Sequence, residues 1–455
     1  MNKYLFVLGL VGTALFSACS TSDDLSVEEP NVLLPDDKSK ETAILLEAGK
    51  DSEIPIALGV SGRGYTRAVM NPDASGNFET ETGKYLGVFC LAMGTHSGVY
   101  NIPAIISANN WNTAPENDEA GLIVRMKNVP AKVTTDGATS DVTFLNPTTL
   151  SNPTPSPQSW FYPMGNWMWY NFYAYYPRQG DETLLFTPNQ ALQTNYVIDG
   201  SQDIIWGMAN PEDAMYDDYA ATDAKPYCAK YFRLKKGEVG EENIGPFLPK
   251  FVFKHKLVQF RFFVKAPNST VRADLVAKHM QVTDMYISNA YYKLRLIVAN
   301  KHDTQFNGSL YQDGSKTELR IKKNDSDVNR FDQNNDEVLD NPLDITVDAV
   351  DVEHDTPVGY IMLYPPSPLS ATELESGFKY WLVLRVKYTI DEVEYTNDLS
   401  VDMVPPLIYG SSPESYGFQE GKVYNIVVNV QSPQEIHARA FLNAWDDSPA
   451  KVEYP

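Results

Sequence analysis

Tyr380, Leu382, Leu384, Val386, Tyr388 and Ile390 alternate over eleven residues, with Arg385 and Lys387 in the intervening positions. A period of two sends successive side chains to opposite sides of a pleated strand, so a run like this buries one face and cannot form a helix stripe. The same pattern recurs at Tyr292, Leu294, Leu296 and Val298, and at Tyr424, Ile426, Val428 and Val430, where Asn425 and Asn429 take the other side. Ile54, Ile56, Leu58 and Val60 alternate with Pro55, Ala57 and Gly59 in a shorter version. The chain holds 27 Tyr and is 12% aromatic, a supply that suits sheets better than helices. Only Ala273–Met280 reads as helix, at most two turns. The expected class is all-β.

One stretch predicts how the sheets connect. Phe251, Phe253, His255 and Leu257 share one phase, and Val258, Phe260, Phe262 and Val264 the other. A slip of one residue requires a bulge or a move from one sheet to another, as at a sandwich corner. Between Lys225 and Pro249 the chain turns polar and Gly-rich, which marks a boundary. The 455 residues then divide into β-sandwiches over 47–235 and 246–455, each within the ordinary size of a domain. Polar insertions at about 104–120 and 312–345 read as loops.

The beginning of the chain sets its destination. Lys3 precedes an apolar run from Tyr4 to Phe16, of signal-peptide length and too short to span a bilayer. Leu15-Phe16-Ser17-Ala18-Cys19 resembles a bacterial lipobox, with Phe16 where the motif usually has Leu. It implies removal of residues 1–18 and acylation of Cys19. Ser20-Thr21-Ser22-Asp23-Asp24 resembles the signal that sends Bacteroidetes lipoproteins to the cell surface. Residues 19–46 then form a polar tether. The net charge of −22 repels phosphate backbones and anionic headgroups, so nucleic acid is excluded as a partner. Attachment to the outer membrane would rest on the lipid alone. Cys90 sits in an apolar strand and reads as a small buried hydrophobe; its spacing from Cys228 argues neither for nor against a disulfide.

Chemistry-bearing patterns are sparse. Trp160, Trp167, Trp169, Tyr170, Tyr173, Tyr175 and Tyr176 crowd together, and such platforms can stack on sugars. The strand spacing of Trp167 with Trp169 and of Tyr173 with Tyr175 favours core or inter-domain packing. Trp160, Trp167 and Trp169 remain the glycan-contact candidates. The carboxylates from Asp325 to Asp336 are spaced somewhat like a calcium loop, but Arg330 stands at the turn glycine, and a second register from Asp332 places Leu343 at the last ligand. An acidic loop is the reading adopted. No two of the six histidines lie close enough to form a metal pattern, and His255, between phenylalanines, reads as a core residue. No nucleophile elbow or phosphate loop occurs. The expectation is no catalytic residues, no metal and no cofactor.

Several landmarks occur in order. Met168-Trp169-Tyr170-Asn171-Phe172-Tyr173-Ala174-Tyr175-Tyr176-Pro177 is followed by Asp203-Ile204-Ile205-Trp206-Gly207 and Phe253-Lys254-His255-Lys256-Leu257. Then come Ile361-Met362-Leu363-Tyr364-Pro365, Gly421-Lys422-Val423-Tyr424-Asn425-Ile426 and Trp445. With the lipobox and Thr66-Arg67-Ala68, this set resembles the fimbrillin (Mfa-like) family of Bacteroidetes pilus subunits over nearly the whole mature chain. The resemblance implies two tandem Greek-key, transthyretin-like β-sandwiches, export as a surface lipoprotein of the outer membrane, and passage into a fimbrium after processing. It implies a trypsin-like cut after an arginine near the N-terminus, which frees the first strand so that another subunit's strand takes its place. Carried onto this chain, the cut falls after Arg67, with Arg63 second, and the released strand is Ile54, Ile56, Leu58 and Val60. Partners would be other fimbrial subunits and a host or glycan ligand. In stalk subunits the C-terminal segment is the donor strand. Here few residues follow Trp445, and Pro449 and Pro455 suit a mid-sheet strand badly. That leans toward a tip or accessory subunit; a surface glycan-binding lipoprotein is the alternative.

Overall fold

The computed structural model describes residues 54–56, 58–60, 80, 83–92, 124–136, 139–152, 154–162, 170–186, 191–209, 250–300, 306–323, 327–332, 334–352 and 354–443. In chain order its first strands are β1 (Ile54–Pro55), β2 (Gly59–Val60), β3 (Leu86–Ala92), β4 (Val124–Asp136), β5 (Thr139–Phe144) and β6 (Phe161–Tyr162). Next are β7 (Tyr170–Tyr176), β8 (Leu184–Phe186), β9 (Ala191–Val197), β10 (Ile205–Ala209) and β11 (Lys250–His255). Then follow β12 (Val258–Lys265), the helix α1 (Ser269–Ala277), β13 (Gln281–Tyr291), β14 (Lys293–Asn300), β15 (Leu310–Gln312), β16 (Lys316–Arg320) and β17 (Leu343–Asp344). The last are β18 (Gly359–Leu363), β19 (Leu369–Ser370), β20 (Tyr380–Ile390), β21 (Val393–Met403), β22 (Ser415–Tyr416), β23 (Val423–Ser432) and β24 (Glu435–Asn443). The all-β expectation holds.

Seven strands close on themselves in the order β10-β11-β2-β5-β4-β3-β7. Inside lies a core that includes Ile56, Leu58, Leu86, Val88, Met126, Phe144, Phe172, Phe251 and Phe253. Two further sheets, β18-β12-β23-β24 and β16-β13-β20-β21, form the second sandwich. A fourth sheet, β8-β9-β14-β15, joins strands from both halves of the chain. A second core runs through all of these: Phe89, Tyr175 and Trp206 on the outside of the ring, Tyr196 and Leu296 on the joining sheet, and Phe260, Leu382 and Ile426 in the sandwich.

The phase slip after Phe253 is a change of sheet. Phe251 and Phe253 of β11 face the ring's interior, whereas Val258, Phe260, Phe262 and Val264 of β12 belong to the second core. Lys256 and Leu257 make the corner, pinned by Lys256 N–H to the Ile204 carbonyl at 2.8 Å and Gly421 N–H to the Leu257 carbonyl at 2.9 Å. Pairing does not part at the expected boundary. β11, beyond it, is a ring strand between β10 and β2, and β9, before it, pairs with β14.

Two local expectations need correction. The helix begins at Ser269, ahead of Ala273, because the Asn268 side chain accepts the Val271 N–H at 3.0 Å and caps it. It ends by Ala277, and His279 lies in the left-handed region at φ 48°. The segment 312–345 is not all loop: β16 lies within it and pairs with β13, burying Leu319 in the second core.

Candidate functional site

The N-terminal strand is the ring's closing piece. β2 lies between β11, parallel to it, and β5, antiparallel, with two registered positions on either side. Its predecessor β1 pairs with β6, and between the two pieces Ile56 N–H reaches the Trp160 carbonyl at 2.7 Å. The Leu58 carbonyl accepts the Val142 N–H at 3.3 Å. Pro55 has no N–H to give, which suits the short outer piece and not a central strand. Ile56 and Leu58 are 5% and 4% exposed and fill the ring core. Burying side chains of this kind contributes about 1.5–3 kcal/mol each, whereas a net backbone hydrogen bond contributes about 1 kcal/mol. The strand is therefore held by two apolar anchors as well as by its ladder. Taking it out would leave unpaired edges on β5 and β11 and an apolar slot between them.

Arg63, Arg67, Cys19, Trp167, Trp169 and Cys228 lie outside the described residues, as do the signal peptide, the tether and the segment 236–245. Trp160 is described: half-buried, packed on the ring core, its carbonyl holding Ile56, and its indole N–H buried without a hydrogen-bond partner among the described residues. Nothing in the sequence flagged Trp160 as a partner of the first strand, since a carbonyl carries no side-chain signature.

The neighbouring tyrosines are interior. Tyr170 and Tyr176 point into the ring; Tyr173 and Tyr175 point out of it but into the second core, against the joining sheet. Burial pushes the Tyr173 phenol up to about 12, and pushes that of Tyr175 higher still. The Tyr175 hydroxyl donates to Asn128 Oδ1 at 2.7 Å, and Asn128 Nδ2 donates to Asp181 Oδ1 at 2.6 Å. Tyr173 and Tyr175 are thus closed to a sugar.

Asp203, His255, Asp332 and Cys90 are buried in the protein. His255 Nδ1 bonds the Asp203 carboxylate, both buried, and Asp203 Oδ1 takes the Ile204 N–H at 2.8 Å. This is the hydrogen-bonded core histidine expected from its phenylalanine neighbours. Cys90 is a free, buried thiol, raised well above its usual range by burial and only partly offset by Arg125. Asp332, read as part of an acidic loop, is buried: its carboxylate accepts the N–H groups of Asp336 at 3.1 Å and Glu337 at 2.8 Å and shapes the turn. Among the described residues no group of three or more His, Cys, Asp or Glu is placed to hold a metal ion.

No protein-family model matches the chain, and no curated protein is significantly similar to it. Among solved structures it is similar to a candidate cell adhesion protein from Bacteroides uniformis, at 12% identity and TM-score 0.39, covering 86% of this chain and 98% of that one. A fimbrial protein from Bacteroides ovatus matches at 13% identity and TM-score 0.26, over 83% of this chain and 49% of that one. The fimbrial anchor protein Mfa2 from Porphyromonas gingivalis matches at 11% identity and TM-score 0.28, over 86% of this chain and 98% of that one.

Proposed function

We propose that this chain is a fimbrial subunit with a structural and adhesive role. In this reading it is exported as an outer-membrane lipoprotein through Cys19 and assembled by strand exchange once a protease cuts after Arg67 or Arg63. The observation that carries the reading is the position of the first strand. Ile56 and Leu58 plug the ring between β5 and β11 through a strand only two registered positions deep on each flank. Such a strand lies next to the arginines in sequence, so one backbone cut leaves it held by non-covalent contacts alone. An incoming strand with apolar residues two apart would fill the same pockets and pair with the same edges.

Limited trypsin digestion of the folded mature protein tests this, with mass spectrometry and sizing of the products. The expected outcome is an early cut after Arg67 or Arg63, loss of the fragment carrying Ile54–Val60, and heat-stable oligomers. A monomer that keeps the fragment after cleavage at that site, or one whose early cuts fall elsewhere, speaks against it.

A further inference from the structure

β20 and β21 pair without interruption over eleven positions, from Tyr380 opposite Met403 to Ile390 opposite Val393. Tyr380, Leu382, Leu384 and Val386 point into the core. Alternation then puts Trp381, Val383, Arg385 and Lys387 together on the sheet's outer face. Trp381 is 54% exposed. The contrast is with Trp206, which is buried and donates its indole N–H to the Val298 carbonyl at 2.9 Å. At Trp381 the bond to the rest of the protein is made by the backbone: its N–H donates to Asn289 Oδ1 at 2.9 Å. Its ring makes no contact with another ring or a cation among the described residues. Val383 and Tyr286 are direct cross-strand neighbours on the same face, both largely covered, so the indole stands at the end of an apolar strip.

The charges beside this strip are already paired. Lys379 Nζ lies 3.2 Å from Asp402 Oδ2, and Asp402 is the cross-strand neighbour of Trp381. Arg385 grips Asp398 through two bonds of 2.8 and 2.9 Å, and Arg320 Nε reaches Asp284 Oδ2 at 3.1 Å. An anionic ligand would meet a carboxylate beside each cation and the field of a chain carrying −22. A cationic one would have to displace a lysine or arginine. A neutral ligand that offers an apolar face to the indole, with donors and acceptors at its edges, needs neither.

That combination is the chemistry of a hexopyranose. We propose that the outer face of β20 and β21 binds neutral polysaccharide, with one sugar ring stacked on Trp381 and its hydroxyls bonded by the Lys379–Asp402 pair. Arg385 and Asp398 stand four residues further along the strand, about 14 Å away, where they meet the next part of the same saccharide. This site is in a different sheet from the closing strand and does not depend on strand exchange.

Affinity electrophoresis of the full mature protein tests it, in native gels containing a neutral glucan, mannan or galactan. Dextran sulfate serves as the charged comparison, and W381A, W381Y and Y409A as variants; Tyr409 is exposed elsewhere. Wild type and Y409A should be retarded by at least one neutral polymer. W381A should bind about tenfold more weakly with an unchanged thermal melt, and W381Y should recover part of the loss. Unretarded wild type in all three neutral gels, equal retardation of W381A, or retardation by dextran sulfate alone overturns the proposal.

Discussion

Single side chains in this protein act through their placement on the pleat. Arg385 and Asp398, neighbours across β20 and β21, are 40% and 44% exposed at the side chain. The hydrogen bond from Arg385 holds the Asp398 carboxyl below its ordinary value. A carboxyl lowered in the folded state stabilises fully above its unfolded pKa of about 3.9, and that contribution is lost as pH falls through the folded value. Asp398→Asn should therefore be less stable than the native chain at pH 6, by less than about 1 kcal/mol because the pair is solvent-screened. The gap should close in urea melts carried from pH 4 toward pH 2.5. A gap that persists unchanged at the acid end would mean that the side chain acts through packing. Sequence reading placed Arg385 on the outer face from its phase, but could not supply its partner, because Asp398 comes from the next strand and the register decides the pairing.

At the scale of the element, the β20–β21 hairpin turns through Asp391 and Glu392, both left-handed at φ 50° and 62°. A two-residue connection with both φ values positive matches the twist of the flanking strands and favours Asn or Asp followed by Gly. Asp391 suits its place; Glu392 carries a Cβ where glycine is at ease. Glu392→Gly should raise stability by about 0.5–1 kcal/mol, read as a higher urea midpoint with an unchanged slope. An unchanged or lower midpoint would show that the Glu392 side chain makes up for its backbone. The long strands here were legible because their alternation runs unbroken. The first strand was legible as an apolar alternation, yet forms in two pieces, β1 and β2. β16 was hidden in a polar segment, where Leu319 alone carries its burial signal. The helix was misplaced because a cap at Asn268 outweighs the weak apolar periodicity that follows it.

For the whole molecule, the interleaving of sheets has a thermodynamic consequence. The ring is completed by β11, from the far side of the 236–245 segment, and the joining sheet needs both β9 and β14. A fragment ending at residue 235 would lack the partner of β2 and β10, and would leave Tyr196 and Trp206 without Leu294 and Leu296. Fragment 47–235 should accordingly show no cooperative thermal transition, whereas the mature chain melts with one for the described body. A cooperative melt of the fragment would show that the ring closes without β11.

Alternation along the chain, by itself, determined the all-β class, the inward faces of the long strands and a slip of phase before Val258 that needs a bulge or a change of sheet, since side-chain direction on a strand follows from position alone. That it is a change of sheet only the structure decided. Alternation also picked out Ile56 and Leu58 as one face of one strand. Which strands stand on either side of them was decided only by the tertiary structure. β5 and β11 come from segments far apart in the chain, and backbone hydrogen bonding between strands is the same for any residue but proline. For the same reason Tyr173 and Tyr175 became interior through the sheet packed over them, whereas Trp381, on the outer face of its own sheet, is 54% exposed.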